Sequence, residues 1–159
     1  MAVYHSWLQD EILAQGEFIN GQPTGRTAVE NANHTDHSGV ELGLSSELPL
    51  GLFGDDKLAV KGVYTYNRFR FDGDKTFGDN QLPGIPVHIA NLEVVYKHPL
   101  GFYAGPNIQY ASDYYVDYAN TLKAPSYVIM GARGGYDTGK GVKFFVDARN
   151  LLDKNWISN

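Results

Sequence analysis

The chain contains 159 residues, of which 43% are hydrophobic and 13% aromatic, and its formal net charge at pH 7 is -5. The acidic balance argues against a nucleic-acid partner, because such binding needs a basic face. The chain has no cysteine, which excludes disulfides and thiol chemistry. It also lacks an apolar run of about 18 residues, so an ordinary transmembrane helix is excluded, whereas a transmembrane β-barrel is not.

Alternating apolar and polar residues predict about seven β-strands and no helix of useful length. The predicted strands have plausible lengths for tilted strands that cross a bilayer, which need about 9 to 11 residues. In chain order they are Ala2–Ile12, His37–Leu48, Lys57–Phe71, His88–His98, Phe102–Tyr118, Ser126–Tyr136 and Val142–Leu151.

The connections between the first five strands alternate between long and short. The polar segments EFINGQPTGRTAVENANHTD and DGDKTFGDNQLPGIP are long, whereas PLGLFGDD and KHPLG are short. The loop near Ala119 to Pro125 is shorter than the pattern requires. Long loops at one rim and tight turns at the other are typical of an up-and-down outer-membrane barrel.

The predicted strands have one apolar and one polar face. In strand four, for example, Leu92 and Val94 alternate with Glu93. A soluble sheet also alternates, but the apolar faces carry aromatic residues beside the tight turns, as the girdle of a transmembrane barrel does. Cross-strand packing in an ordinary sheet is the alternative interpretation of these aromatic residues. They are Tyr96, Phe102, Tyr136 and Phe144.

Several segments, in order, resemble the carboxy-terminal part of TonB-dependent outer-membrane receptors of the ferric-siderophore type. The segments are HSGVELGLSSELP, KGVYTYNRFRFDGD followed by LPGIPVHIANLEVVY, YYVDYANT and VDARNLLDKNW. The last resembles that family's Asn-Leu-Phe-Asp-Lys-x-Tyr signature, with Leu152 in place of Phe and Trp156 in place of Tyr. In this motif we expect Asn150 and Asp153 to have a structural role in a turn.

The resemblance implies a barrel of about 22 strands with a separate plug domain in its lumen. It also implies a location in the outer membrane of a Gram-negative cell, in contact with lipid, and import of a ferric siderophore or similar bulky nutrient. Import would be driven by TonB acting through the plug, without enzymatic chemistry and without a cofactor. We expect residues 1–159 to form a single segment of the barrel domain, with the plug absent and two strand edges unpaired.

Two groups of residues are candidate ligand contacts. Arg68 and Arg70 lie near the long-loop end of strand three, where they would attract an anionic ferric chelate. Asp113, Tyr115 and Asp117 are alternate residues on the predicted polar face of strand five. They lie toward the same end, where they would touch a substrate or the plug. The alternative for both groups is a rim or lumen wall that faces water.

Other motifs have simpler interpretations. His34 and His37 lack a third ligand at an obvious spacing, so we predict no metal site. The loop DGDKTFGDNQ lacks the Gly and Glu of a calcium loop and is interpreted as a solvated turn cluster. The segment GGYDTGKG resembles a phosphate-binding loop, but Gly141 stands where Ser or Thr is needed, and strands flank it, so we predict a β-hairpin.

Two further functional hypotheses stay open from the sequence. A small self-contained outer-membrane barrel, acting structurally or as a passive channel, would need a missed eighth strand, for which GRTAVENANH is the candidate segment. A soluble β-barrel that binds a small ligand would instead have an apolar interior. No arrangement of residues argues for a catalytic site, so an enzyme is the least favoured class.

Overall fold

A computed structural model describes residues 1–19 and 22–157. Among these residues there is no helix long and apolar enough to cross a membrane. The strands are β1 (Ala2–Ile19), β2 (Gln22–Pro49), β3 (Lys57–Phe71), β4 (His88–Lys97), β5 (Phe102–Ala111), β6 (Tyr114–Tyr115), β7 (Lys123–Ala124), β8 (Tyr127–Asp137) and β9 (Lys143–Ala148).

Seven of the strands form one antiparallel sheet in the order β1-β2-β3-β4-β5-β8-β9. Each strand of this sheet pairs with the strand before it, so the sheet is an up-and-down meander. The short strands β6 and β7 form a separate ribbon between β5 and β8. The all-β, antiparallel class and the seven principal strands predicted from the sequence are confirmed.

The first hairpin is much longer than predicted. The structure begins β2 at Gln22 instead of His37 and extends β1 to Ile19 instead of Ile12. The segment GRTAVENANH, considered as a separate eighth strand, is the first half of β2. Because β3 pairs only as far as Thr35 of β2, the hairpin projects beyond the rest of the sheet. The projecting segments EILAQGEFI and GRTAVENANH mix apolar and polar residues without a two-residue period, so the alternation that marks a half-buried strand is lost.

The fifth predicted strand, Phe102–Tyr118, is too long, because β5 ends at Ala111. Ser112 explains this end: its N–H donates to the His88 carbonyl (2.9 Å), and its hydroxyl oxygen accepts from the His88 N–H (3.1 Å). The chain beyond it leaves the sheet and forms the ribbon. The seventh strand likewise ends at Ala148 instead of Leu151.

The register gives the sheet two chemically different faces. Leu92, Ile108 and Met130 stand side by side on one face, which we call the apolar face. Glu93 and Asn107 stand side by side on the other, which we call the polar face. Leu92 is exposed, at 42% of its full accessibility, and Ile108 and Met130 are partly exposed, so these side chains do not form the centre of a compact core.

Aromatic residues occur at two levels of the apolar face. At the tight-turn end, Phe102 pairs with Tyr136 and Tyr136 with Phe144, and the Phe102 and Tyr136 ring centroids are 4.6 Å apart. At the long-loop end, the Tyr64 hydroxyl lies 2.8 Å from His88 Nδ1. Tyr96 follows His88 by eight positions along β4, or about 27 Å. At a strand tilt of about 35–45°, this length rises about 19 to 22 Å along the membrane normal, which is comparable with, and slightly less than, the apolar band of about 25 Å in a transmembrane barrel.

The ladder between β4 and β5 has a gap beside Pro106. Bridges join Glu93 to Asn107 and Tyr96 to Ala104, but none joins the positions between them. Proline has no N–H to donate, which accounts for the gap. At the neighbouring Gly105, a methyl group would collide with the Val94 carbonyl. The two backbones therefore approach here more closely than any side chain allows.

We predict that Gly105→Ala destabilises the sheet by about 1 to 3 kcal/mol, because the added methyl group meets backbone that cannot move aside. Urea unfolding of the purified protein measures the change. Gly134→Ala is the matched control, because its methyl group would make ordinary contacts, 3.4 Å from the Tyr103 carbonyl oxygen, and should change stability by no more than about 0.5 kcal/mol. Equal effects of the two substitutions would contradict the prediction.

Candidate functional site

The polar face lines a hollow of about 680 Å³ in the middle of the sheet. Arg133 is one of the residues that line it, with Nη1 3.3 Å from Glu93 Oε2 and Nη2 2.8 Å from Asp147 Oδ2. Arg149 adds a second contact to Asp147, at 3.3 Å. These ion pairs join β4, β8 and β9 across the hollow. The paired side chains are partly exposed, so each ion pair contributes little to the stability of the sheet. The main effect of the ion pairs is to hold charged groups in fixed positions on the water-exposed face.

A second group lies on the polar face at the long-loop end, and we call it the mouth patch: Tyr4, Glu11, His37, Asn67 and Phe69. The imidazole of His37 stacks on Phe69 with ring centroids 4.5 Å apart. The Tyr4 ring meets the same Phe69 edge-on at 6.1 Å and donates its hydroxyl to Asn67 Oδ1 at 2.8 Å. Glu11 Oε2 lies 3.3 Å from His37 Nε2. The patch thus offers aromatic surface beside polar groups, the combination found in small-molecule sites.

The hairpin geometry brings the mouth patch together. β2 and β3 pair so that His37 stands opposite Phe69 and Gly39 opposite Asn67. A methyl group at Gly39 would collide with the Tyr4 ring and with the Tyr66 carbonyl. The bare glycine therefore lets Tyr4 cross β2 and reach Asn67 on β3.

An apolar cluster covers the sheet beside the mouth patch. Phe71 and Leu82 are almost fully buried, at 1% and 5% exposure. The Phe71 ring lies 5.1 Å from that of Phe77 and 5.9 Å from that of Tyr118. Since Phe71 belongs to β3 and the other residues to loops, this cluster fixes the 72–87 and 112–126 loops over the end of the polar face.

The same two loops are also joined by hydrogen bonds. Asn120 accepts from the Gln81 N–H (2.8 Å) and donates its amide to the Gln81 carbonyl (2.9 Å). Asn80 donates to the Tyr118 carbonyl (2.9 Å), and the Gly84 N–H donates to the Tyr115 carbonyl (2.8 Å). The Asn120 side chain bonds to both backbone groups of Gln81, as the backbone of a neighbouring strand would. The two loops therefore form one unit.

The predicted residues Asp113, Tyr115 and Asp117 lie in this loop unit. Lys123 Nζ is 2.7 Å from Asp113 Oδ2 and 4.7 Å from the centre of the Tyr115 ring. The hydrogen bond from Lys123 lowers the pKa of Asp113. Asp117 instead closes a turn, since it accepts from the Thr121 and Leu122 N–H groups. All three are held by internal contacts, and their contact with a ligand stays a prediction.

Arg68 and Arg70 lie on the apolar-face side of β3, not on the side of the mouth patch. Their strand partners on β2 are Ser38 and Asp36, whereas His37 stands opposite Phe69. Arg68 Nη1 is 4.0 Å from Asp36 Oδ2. The role predicted for the two arginines, attraction of an anionic ferric chelate, stays a prediction, and the sheet separates them from the hollow.

The structure also shows where the remaining sequence motifs lie. His34 is exposed, and residues 1–19 and 22–157 contain no group of three or more His, Asp or Glu side chains able to hold a metal. The segment GGYDTGKG is the predicted hairpin: Gly139 and Gly141 have φ of 68° and 86°, and the Thr138 N–H donates to the Val142 carbonyl (3.1 Å). Asn150 and Asp153 form the expected turn, with the Asp153 N–H donating to the Asn150 carbonyl (3.0 Å).

The sheet is an antiparallel meander with a water-filled hollow on one face, an exposed apolar band on the other and joined loops at one end. This combination has the form of a β-barrel wall. The family described as TonB dependent receptor-like, beta-barrel, matches residues 1–151, and the chain belongs to this family.

Its relatives are receptors and transporters. The chain is 30% identical to the ferrioxamine receptor of Yersinia enterocolitica over 99% of its own length and 22% of the relative's. It is 28% identical to the probable TonB-dependent siderophore receptor PiuA of Acinetobacter baumannii, over 83% of the chain and 19% of the relative. With the Escherichia coli K12 ferrichrome outer membrane transporter/phage receptor it shares 30% identity, over 63% of the chain and 14% of the relative.

The crystal structure of the siderophore receptor PiuA from Acinetobacter baumannii has the same fold. It superposes with a TM-score of 0.69 at 24% identity, over 97% of this chain and 22% of that one. The chain therefore spans about a fifth of the length of these proteins.

We predict that Asn120→Gly separates the 72–87 and 112–126 loops, because it removes both hydrogen bonds to Gln81. Asn120 has φ of 56°, which glycine adopts without strain, so the change isolates the amide. Hydrogen exchange should become faster in both loops and stay unchanged in β3 and β4. Asn120→Asp keeps the acceptor for the Gln81 N–H and should have a smaller effect. Unchanged exchange in Asn120→Gly would contradict the joined-loop description.

We predict that the turn at 117–122 loosens in acid. The Leu122 N–H bond lowers the pKa of Asp117, so this carboxylate stabilises the turn above its unfolded pKa of about 3.9. That contribution is lost as pH falls through the still lower folded value. The protection factor of the Leu122 amide, which is its exchange rate compared with that of an unstructured amide at the same pH, is followed from neutral pH to about pH 2 and should fall only in this acidic range. In Asp117→Asn this fall should be absent. A fall that persists in the variant would show that another group controls the turn.

Proposed function

We propose that this chain is part of the barrel wall of an outer-membrane TonB-dependent receptor that imports a ferric siderophore or a similar bulky nutrient. The observation that carries the proposal is the division of the sheet into an exposed apolar face, edged by aromatic residues, and a polar face that lines a hollow. The family and the printed names of the relatives support it.

In this proposal the apolar face meets the hydrocarbon of the membrane and the polar face encloses a water-filled lumen. The two aromatic levels then lie at the two headgroup regions. The outer edges of β1 and β9 pair with further strands, because unpaired N–H and C=O groups in hydrocarbon cost several kcal/mol each. The long-loop end faces the outside of the cell and the tight-turn end the periplasm.

The mouth patch is the part of this wall that we assign to the ligand. A ferric siderophore is a bulky chelate with polar groups and extended flat surfaces. The stacked rings of His37 and Phe69 offer it apolar contact, and Tyr4, Asn67 and Glu11 offer hydrogen bonds. Capture at such a site involves binding only and no bond chemistry. The joined loops limit how far the entrance above the patch opens.

Passage then follows the polar face toward the periplasm. The ion pairs of Arg133 with Glu93 and Asp147 lie in the middle of that path. A plug domain in the lumen would meet this wall, and TonB would act on the plug to open the path. The chain contributes the fixed side of the passage in this scheme, and the plug contributes the moving side.

Iron uptake tests the proposed function. The full receptor that carries this segment is expressed in an outer-membrane host that lacks its own siderophore receptors, in tonB-positive and tonB-negative backgrounds. Radioactive ferric siderophores of the hydroxamate, catecholate and carboxylate types are supplied one at a time. Uptake of one type, only in the tonB-positive host, is expected. No uptake of any type in a host where the protein reaches the outer membrane would overturn the proposal.

The mouth patch has its own prediction. His37→Ala removes the ring stacked on Phe69 and should weaken binding of the transported siderophore about tenfold, which corresponds to about 1.4 kcal/mol. Ser38→Ala is the matched control, because Ser38 is the next residue of β2 and points to the opposite face. Fluorescence titration of the purified receptor measures both affinities. If the two variants bind the siderophore with equal affinity, His37 is not part of the binding site.

A further inference from the structure

The first hairpin makes a contact that a straight strand would not allow. In the β1–β2 register His37 stands opposite Ser6, and Glu11 follows Ser6 by five positions. On a straight strand, residues five positions apart lie on opposite faces and about 17 Å from each other. Glu11 Oε2 nevertheless lies 3.3 Å from His37 Nε2. The strand β1 therefore bends and turns its faces between Ser6 and Glu11.

Two further contacts show the same displacement. The hydroxyl of the almost fully buried Thr35 donates to Glu11 Oε2, although Thr35 stands opposite Leu8. Leu13, five positions after Leu8, packs against the apolar cluster around Phe71. Phe71 is the partner of Thr35 on β3. The part of β1 beyond the bend thus folds back over the polar face, against the mouth patch and the apolar cluster.

The backbone of Asp10 accounts for the bend. Asp10 has φ of 55°, in the left-handed region. Within the described part of the hairpin, Gln9 and Glu11 pair with β2 in one continuous register, whereas Asp10 between them does not pair. No residue is inserted, so the left-handed backbone is what changes the direction of the strand. The Asp10 side chain is exposed, so the residue acts through its conformation, which Asp adopts more readily than a β-branched residue.

We propose that Asp10 is a positioning residue of the ligand site, whose left-handed backbone bends the first hairpin inward and places the Glu11 carboxylate in the mouth patch. Without the bend, Glu11 points away from His37, and the patch keeps its rings but loses its acidic group. A carboxylate beside stacked rings selects ligands that present hydrogen-bond donors or positive charge. The inference rests on the proposed function, which assigns the mouth patch to a ligand.

Pulsed electron paramagnetic resonance on the full receptor tests the bend without any ligand. The chain contains no cysteine, so spin labels are attached through Ile12→Cys and Leu122→Cys, at two exposed positions, with any cysteine elsewhere in the receptor replaced. Asp10→Gly and Asp10→Asn accept the left-handed backbone and should keep the distance between the labels. Asp10→Val disfavours that backbone and should lengthen or broaden the distance distribution.

Gln9→Val is the matched control for the change of side chain. It places the same valine at the neighbouring position, where the strand is paired with β2 and accepts a β-branched residue. The label distance should stay unchanged in this variant. The bend at Asp10 is disproved by an unchanged distance in Asp10→Val, or by equal changes in Asp10→Val and Gln9→Val.

Siderophore affinity tests whether the bend serves the ligand. The probe is the ferric siderophore type that the uptake assay identifies, titrated against the purified receptor. Glu11→Ala should weaken binding about tenfold in the unaltered receptor, and it should have no further effect in Asp10→Val, because Glu11 has then already left the patch. Asp10→Gly should restore the tenfold effect. Losses that add, or no loss from Glu11→Ala alone, would overturn the proposal.

The two measurements separate this proposal from the proposed function. If the receptor imports no ferric siderophore but the label distance changes only in Asp10→Val, the import proposal fails and the bend at Asp10 is confirmed. If a siderophore is imported and the losses from Asp10→Val and Glu11→Ala add, the role of Asp10 in the ligand site fails alone.

Discussion

The structure depends on the requirement that each strand satisfies the backbone N–H and C=O groups of its neighbours. In an antiparallel meander this requirement fixes the register of each hairpin, and the register decides which side chains share a face. Every functional assignment made for this chain follows from it. Phe69 joins the mouth patch and Arg68 does not, although they are adjacent in sequence, because alternate residues of β3 point to opposite sides.

The same requirement explains where the sheet departs from regular pairing. Pro106 lacks an N–H and leaves a gap in the ladder between β5 and β4. At the neighbouring Gly105, the backbones of these two strands approach each other closely. Ser112 ends β5 because it takes both backbone groups of His88. Each irregularity occurs where one residue either cannot pair or offers a competing partner, so the local chemistry accounts for the departures.

The fold was largely predictable from the sequence, and the candidate site was not. Alternation identified β3, β4 and β8 to within one residue, because both faces of these strands have distinct surroundings. It failed in the projecting part of the first hairpin, where apolar and polar residues follow no two-residue period. His37 and Phe69 carried a usable signal: a register that pairs Leu48 with Leu58 across the short turn also pairs these two. Contacts made by loops, such as Asn120 with Gln81, follow no periodic pattern and leave no such signal.

Two different kinds of bond hold the wall and the entrance of the proposed lumen. The wall is held by the backbone hydrogen bonds of the sheet. These bonds tolerate many different side chains as long as apolar and polar residues keep alternating along each strand. The entrance depends on single side chains that bond to loop backbone, as Asn120, Asp117 and Asn80 do, and on the burial of Phe71 and Leu82. Substitutions in the loops can therefore change how the 72–87 and 112–126 loops are held together without weakening the sheet.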